Sequence, residues 1–176
     1  MGVLLEWEAK IDETIHDHVM AVYHFLNEHH TEYISEMVPS YQSLMIFLKR
    51  GVDQKTIINL LHDIDLSNQP PTISGKVWEI PVCYNLAFGE DLESIAQASN
   101  LSIDEIVQLH TNPEYRIYGM GFLPGFLYLG GLDKRLFFPR RSVVKRLVPK
   151  GSVAIVGSRQ GIYPQESPGG WNIIGR

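Results

Sequence analysis

The 176-residue sequence contains one cysteine, Cys83, and no apolar run long enough to cross a bilayer. A single cysteine excludes an internal disulfide, which suits a reducing compartment. The N-terminal segment MGVLLEWEAK carries acids where a signal peptide carries basic residues, and its apolar stretch is short. These absences predict a soluble, cytoplasmic protein that does not act at a membrane.

Several signatures of catalytic and metal-binding classes are also missing. The C-terminal part has no G-x-x-x-x-G-K-[ST] phosphate loop, no nucleophile elbow and no Cys/His cluster with metal-ligand spacing. In the N-terminal half, His16 and His18 lie two residues apart on a predicted helix, so they do not share a face. We therefore expect no metal site.

Two short predicted helices, Asp91–Ser99 and Ile103–His110, resemble a helix-turn-helix in spacing. The second begins with a capping box formed by Ser102 and Glu105. Its sequence, SIDEIVQLH, contains two acids and no Lys or Arg, whereas a DNA-reading helix must neutralise phosphates. We expect these helices to cap a β domain, and we expect no nucleic-acid binding.

The first 75 residues predict a small α/β unit, and the polar, Pro-rich segment Ser67–Pro71 marks its boundary. The predicted elements follow the order β-α-β-β-α. If Lys76–Val82 adds a fourth strand, the order is that of a ferredoxin-like sandwich. The elements are strand Val3–Trp7, a helix capped by Asp12 with the stripe Ile15, Val19, Val22 and Leu26, strands Tyr33–Val38 and Leu44–Leu48, and a helix opened by Asp53.

The segment Gly119–Trp171 is rich in Gly and Pro placed between short runs of β-branched or aromatic residues. This pattern is typical of tight turns that join short strands. Residues 134–176 also hold nine of the 15 Lys and Arg and a single acid, Glu166, giving +8 within a chain of net charge −5. Such a surface suits an anionic ligand or an acidic partner, and solvated hairpin tips are the alternative interpretation.

Fixed hydrogen-bond donors make an anion site the sharper hypothesis. Arg140 and Arg141 present planar forks that match a carboxylate or a phosphate, and glycine turns let backbone N–H groups approach an oxyanion. His110 is the candidate general acid–base, with a helix-capping histidine as the alternative. The aromatic side chains are either a ligand platform or core. The candidate binding residues are Gly121, Phe122, Pro124, Gly125, Phe126, Arg140, Arg141, Ser152, Tyr163, Ser167, Gly169, Gly170 and Trp171.

Four motifs in this region occur together: GFLPGFLYLGGL, PRR, VPKGSV and GIYPQESPGGW. Their order and spacing resemble those of the carboxyltransferase C/D-type family, which includes the B subunit of 5-oxoprolinase, the sporulation kinase inhibitor KipI and allophanate hydrolase subunit 1. The resemblance begins near Val77, where WEIPVCYNLAFGEDL is similar to the family's linker into its second domain.

The resemblance implies an α+β protein with a ferredoxin-like domain at residues 1–75 and a cyclophilin-like β-barrel at residues 76–176. It implies one subunit of an ATP-dependent complex that opens 5-oxoproline to glutamate. The implied partners are a homologous second carboxyltransferase-domain subunit and a lactam-utilisation subunit, and this chain is not expected to be active alone. KipI-type inhibition of a sensor histidine kinase and urea or allophanate chemistry are the alternatives.

Departures from the family pattern affect both the site and the fold. The substituted positions include extra cations, which would change the charge of the preferred ligand. Gln160 stands where the family commonly has a Thr hydroxyl. Family members also continue beyond the WNIIGR strand, so we expect an incomplete barrel with an exposed apolar edge at Ile173 and Ile174. The substituted positions are Leu123, Leu127, Val144, Lys145, Lys150, Arg159 and Gln160.

Overall fold

A computed structural model describes residues 1–63 and 75–176 of the chain. They form two compact units, Met1–Val77 and Trp78–Arg176. The predicted boundary segment Ser67–Pro71 lies outside the described residues. Within the two described stretches, no helix combines the length and the apolar character that a membrane span requires.

The first unit has the predicted order of elements. They are β1 (Gly2–Glu6), α1 (Glu13–His29), β2 (Ile34–Pro39), β3 (Ser43–Leu48) and α2 (Gln54–Asp63). The three strands form an antiparallel sheet in the order β1-β3-β2. Met45 in the central strand pairs with Leu4 on one side and Val38 on the other, so β3 fixes the register of the whole sheet.

Local sequence explains how α1 begins and which face it buries. Asp12 is extended, and its Oδ1 accepts hydrogen bonds from the N–H groups of Thr14 and Ile15 at 3.0 and 3.3 Å, as an N-cap should. The helix buries Val19, Val22 and Leu26 in one core with Leu44, Ile46 and Ile57 of the sheet and α2. The first stripe position is shifted from the prediction, because His16 is buried and Ile15 is half-buried.

The predicted fourth strand at Lys76–Val82 is not formed. Residues 75–85 carry no regular secondary structure, and the sheet described for the first unit has three strands. Cys83 instead exchanges two backbone hydrogen bonds with Arg176, at 2.8 and 3.1 Å. Cys83, which follows the segment, therefore bonds to the residue after β10 in the second unit. The ferredoxin-like order lacks its fourth strand among the described residues.

The second unit consists of two helices followed by short strands. In chain order these are α3 (Leu92–Ser99), α4 (Ile103–Thr111), β4 (Arg116–Met120), β5 (Leu127–Gly130), a 3₁₀ turn (Lys134–Leu136), β6 (Lys145–Val148), β7 (Val153–Val156), β8 (Arg159–Ile162), β9 (Ser167–Gly169) and β10 (Asn172–Gly175). One antiparallel sheet has the order β10-β7-β8-β5-β4, and β6 pairs with β9. No closed barrel forms in the part of the chain that the structure describes, since β10 and β4 are edge strands, and the expectation was an incomplete barrel.

The two helices cap this sheet, as predicted. The capping box of α4 is present: Glu105 N–H donates to Ser102 Oγ at 3.2 Å, and Ser102 N–H donates to Glu105 Oε2 at 2.8 Å. Buried side chains of both helices share a core with sheet residues, and the members are Leu92, Ile95, Ile106, Leu132, Leu136, Val153, Ile155 and Ile174.

The expected exposure of Ile173 and Ile174 is wrong, because both side chains are buried. Successive residues of a strand point to opposite faces, and each face of β10 is covered. Ile174 packs in the core beneath α3, whereas Ile173 packs with Phe126 and Tyr163 on the other side.

Candidate functional site

Four of the predicted binding residues meet in one aromatic cluster centred on Phe126. The buried Phe126 ring makes edge-to-face contacts with Tyr163 at 5.2 Å, Trp171 at 5.5 Å and Phe122 at 5.7 Å between centroids, and a further one with Tyr128 at 5.0 Å. Phe126 and Tyr163 are core, Trp171 is half-buried, and Phe122 is 62% exposed. The core interpretation therefore fits Phe126 and Tyr163, whereas Phe122 has the exposure that a ligand platform requires.

The loop between β4 and β5 holds Phe122 outward. Gly121 N–H donates to Phe126 O at 3.2 Å, Leu123 N–H donates to Gly121 O at 2.7 Å, and the exposed Pro124 and Gly125 form the tip. Phe122 has a φ of +64°, which is strained for a bulky side chain. The loop thus keeps an aromatic ring in contact with solvent at a backbone cost.

Gly170 lets a cation lie directly on the backbone beside this cluster. A Cβ at Gly170 would lie 2.7 Å from Nε of Arg140, so only glycine fits there without moving the guanidinium. The Tyr163 hydroxyl similarly occupies the space that a Cβ at Gly169 would need. Burial raises the pKa of Tyr163, and the nearby charge of Arg140 partly opposes that shift. The exposed Arg140 therefore lies against the buried Tyr163 and the two buried glycines.

The two predicted arginines have different environments. Arg140 is exposed, and its guanidinium makes no ion pair with any residue that the structure describes. Arg141 donates from its backbone N–H to Gly170 O at 2.9 Å, and its Nη1 donates to Asp91 Oδ1. Of the two, only Arg140 is available to hold an added anion.

Asp91 is a buried carboxylate that the sequence analysis missed. It is 5% exposed, and it accepts hydrogen bonds from Arg141, from Lys145 Nζ at 3.1 Å and from Ile173 N–H at 2.7 Å. Glu90 forms a second ion pair with Lys145. Asp91 precedes α3 but makes no side-chain cap bond, and its carboxylate instead bonds to residues of β6 and β10. The signal in the sequence that could have indicated its role was an acidic residue before a helix, followed later in the chain by many cations.

The predicted serines are buried. Ser152 N–H donates to Pro149 O at 3.2 Å, and its carbonyl accepts from Tyr163 N–H at 2.9 Å. Ser152 also lines a cavity of about 250 Å³, together with Phe88, Glu90 and Arg176 among others. Ser167 is buried, and its hydroxyl donates to Pro168 O at 3.4 Å.

His110 lies in the interior of the second unit and is 5% exposed. Its Nδ1 lies 2.7 Å from the Tyr84 hydroxyl, its Nε2 is hydrogen-bonded to Gln160 Oε1, and Tyr115 donates to its carbonyl oxygen at 2.7 Å. Burial lowers the pKa of His110 to about 4 and raises that of Tyr84 to about 12. The ring is therefore neutral at pH 7, donating from Nε2 to Gln160 and accepting from Tyr84. None of these three partners is among the predicted binding residues.

The described residues contain no group of three or more His, Cys, Asp and Glu that could hold a metal ion. The groups brought together here are one exposed guanidinium, two buried glycines and an aromatic cluster. A guanidinium suits an anion in charge and geometry, and aromatic side chains suit an apolar body.

Known proteins resemble this chain over most or nearly all of its length. The B subunit of 5-oxoprolinase from Bacillus subtilis is 32% identical, covering 99% of this chain and 78% of the relative. The B subunit of 5-oxoprolinase from Haemophilus influenzae is 39% identical, covering 81% of this chain and 67% of the relative.

Solved structures also resemble this chain over nearly all of its length. TTHA0988 has a TM-score of 0.85 and 32% identity, covering 99% of this chain, which spans only 34% of that one. The urea carboxylase of Kluyveromyces lactis has a TM-score of 0.77 at 20% identity, covering 99% of this chain and 18% of that one, a likeness of fold alone. The family model for the carboxyltransferase domain, subdomain C and D, matches residues 1–176, so the chain belongs to that family.

Proposed function

We propose that this chain is the B subunit of an ATP-dependent 5-oxoprolinase, which opens the lactam of 5-oxoproline to glutamate. The observation that carries the proposal is the similarity, over most or nearly all of the chain, to the B subunits of two bacterial 5-oxoprolinases. The exposed Arg140 beside an aromatic surface supports it, because 5-oxoproline combines one carboxylate with a compact ring.

The chemical demand is to break an unreactive amide bond. Attack on the lactam carbonyl moves negative charge onto its oxygen. A site lowers the activation barrier if hydrogen-bond donors are already positioned where that charge develops. This chain's share in the proposal is to bind and orient the substrate through Arg140. Binding in a fixed pose itself removes part of the barrier.

The remaining functions belong to other subunits in this proposal. A homologous second carboxyltransferase-domain subunit and a lactam-utilisation subunit complete a cytoplasmic complex, and this chain alone is inactive. We assign the two units to a ferredoxin-like domain and a cyclophilin-like barrel, supported by the β-α-β-β-α order of the first and the antiparallel sheets of the second. Kinase inhibition of the KipI type and urea or allophanate chemistry gain no support from a specific contact, since the likeness to urea carboxylase is at the level of the fold.

Reconstitution tests the proposal. The chain is combined with the two other subunits, and glutamate formed from 5-oxoproline and ATP is measured with each subunit omitted in turn. We expect turnover only in the full complex. Steady glutamate release by this chain without partners would contradict the multi-subunit proposal, and its dispensability in the mixture would contradict its membership.

Arg140→Ala in that complex should lower kcat/KM roughly tenfold to a hundredfold, the range for a lost hydrogen bond to a charged group. Lys134→Ala removes an exposed cation from the same segment and serves as the matched control, with activity expected within about twofold of the parent. An Arg140→Ala complex that also stays within about twofold would remove Arg140 from the site.

A further inference from the structure

The three-stranded sheet of the first unit is apolar on both of its faces. Leu44, Ile46 and Leu48 of β3 are buried in one core with side chains from both helices, so α1 and α2 cover that face. The residues between them, Met45 and Phe47, point to the opposite face, because strand side chains alternate. Met45 is half-buried and Phe47 is 39% exposed. The solvated face of an antiparallel sheet normally carries polar residues, so this outer face is unusual.

Strand register places the apolar side chains of the outer face next to one another. Leu4, Met45 and Val38 form one row across β1, β3 and β2, and Phe47 lies in the next row of β3. Leu4 is 53% exposed and Val38 is 39% exposed. Side chains paired across strands on one face are within contact distance, so these four residues form one continuous patch, the outer-face patch. An exposed apolar patch with a polar rim is typical of an interaction surface.

Two acids rim this patch at diagonally opposite corners. Glu6 lies one row beyond the patch on β1, and Glu36 lies beside it on β2. Both are exposed, and none of the residues of the three strands is Lys or Arg. Two cations, Lys49 and Arg50, follow β3 in a turn. Residues 1–63 as a whole contain ten Asp and Glu and four Lys and Arg, so the patch belongs to an acidic surface.

This charge selects among the possible occupants of the patch. A second copy of the chain would bring the same acids with it, and like charges that face each other across an interface are unfavourable. An anionic membrane surface would be repelled for the same reason. The face of a sheet offers no backbone partners, since its N–H and C=O groups bond within the sheet. The occupant must therefore carry cations and satisfy its own backbone groups, as an α-helix does.

The positions of the two acids set the spacing of those cations. Glu6 and Glu36 are separated by two strand spacings and by four residues along the sheet, or about 16 Å at the backbone. That distance is the rise of about eleven helical residues, which complete about three turns. Positions i and i+11 of a helix therefore lie on one face, with i+4 and i+7 between them.

We propose that the outer-face patch binds an amphipathic helix of a partner protein. The helix places apolar side chains on Leu4, Val38, Met45 and Phe47, and it carries a Lys or Arg about three turns apart to meet Glu6 and Glu36. This interaction surface belongs to the first unit and does not depend on the proposed function.

Peptide binding to the purified 176-residue chain tests this, measured by fluorescence anisotropy. The probe is a stapled helical peptide of Ala and Gln that carries a Leu stripe between two Lys at the spacing given above. One control peptide has the same composition in scrambled order, and a second has Glu in place of both Lys. The Lys peptide should bind at least about fivefold more tightly than either control, and salt should weaken its binding.

Substitution of an apolar member of the patch should weaken this binding. Leu4→Thr removes apolar area and keeps a residue that favours strands, so affinity for the Lys peptide should fall roughly fivefold. Ile58→Thr on α2 is the matched control, because Ile58 is similarly exposed, at 43%, and lies outside the sheet. It should leave the affinity unchanged. Near-ultraviolet circular dichroism shows whether each variant keeps its fold.

Reversal of the acids should reverse the choice of peptide. A chain that carries both Glu6→Lys and Glu36→Lys should bind the Glu peptide more tightly than the Lys peptide. Glu28→Lys on α1, also an exposed acid, should keep the preference for the Lys peptide.

Four results would overturn the inference. In the first, the Lys peptide binds no more tightly than the scrambled one. In the second, the double charge reversal leaves the preference unchanged. In the third, sedimentation shows a dimer of the parent chain that Leu4→Thr abolishes, which would give the patch to a second copy. In the fourth, the chain binds vesicles of phosphatidylcholine and phosphatidylserine and loses this binding with Leu4→Thr, which would give the patch to a membrane.

Discussion

Asp91 offers the sharpest test of how the second unit is held together. Its carboxylate accepts hydrogen bonds from Arg141, from Lys145 at 3.1 Å and from Ile173 N–H at 2.7 Å. These partners come from the PRR motif, from β6 and from β10, so one side chain joins three parts of the unit. Its own backbone N–H also donates to Ile173 O at 3.0 Å.

Asp91→Ala should strongly lower the free energy of unfolding. It leaves two cations and one N–H group facing the space of a lost carboxylate, and breaking a buried ion pair from one side costs about 3–5 kcal/mol. Because Arg141 is about a third exposed, water will solvate part of its charge, and we expect the lower end of that range. Asp91→Asn should cost less, since its amide oxygen still accepts from Ile173 N–H.

Urea unfolding followed by circular dichroism measures both variants, and an unchanged slope confirms that the same surface is exposed on unfolding. Arg135→Ala is the matched control, because it breaks the surface ion pair with Asp133, where such pairs contribute little, and leaves the Asp133 carboxylate to accept from the backbone N–H of residue 135. A loss for Asp91→Ala that is no greater than that for Arg135→Ala would refute the argument. It would mean that Arg141 and Lys145 reach water when the carboxylate is removed.

Two further predictions concern the helices. Burial lowers the folded-state pKa of His110 to about 4 from 6.5. The unfolded chain therefore takes up a proton first, and stability should fall as pH drops from about 6.5 to about 4, by up to roughly 3 kcal/mol. Urea melts across that range should show a smaller fall for His110→Gln, and an equal fall would contradict the assignment. Asn100 ends α3 with a φ of 55°. In thermal melts, Asn100→Ala should lower the free energy of unfolding by about 1 kcal/mol, and Asn100→Gly should leave it unchanged. Equal losses for the two variants would contradict this prediction.

Local signals predicted the parts of the structure that depend on neighbours in sequence. The Asp12 cap and the Ser102–Glu105 capping box both form as expected, because each joins atoms two or three residues apart. The strand and helix order of the first unit follows from periodicity for the same reason. The predicted strand at Lys76–Val82 did not form, and Cys83 next to it bonds to Arg176. Strand formation depends on packing and pairing with residues distant in sequence, which the local pattern does not contain.

Contacts between distant residues were beyond the sequence analysis. Asp91 and Arg141 are 50 residues apart, and no local pattern marks them as partners. The net charge of the last 43 residues therefore suggested an anionic ligand or an acidic partner, whereas folding brings Glu90 and Asp91 of the preceding segment onto Arg141 and Lys145. Motif matching did identify the residues that fold together, since Phe122, Phe126, Tyr163 and Trp171 form one cluster.

The Gln160 departure illustrates how a change within a motif can act away from the ligand. A lost Thr hydroxyl suggested an altered binding site, because Gln160 immediately precedes GIYP. In the structure Gln160 is buried and its side-chain oxygen meets His110 Nε2, so its polar group belongs to the network beneath α4. Successive β8 side chains alternate between faces, which gives Gln160 a different environment from its exposed neighbour Arg159. A Thr at this position is too short to span the same gap, so the residue there should determine how α4 is held, and not which ligand is bound.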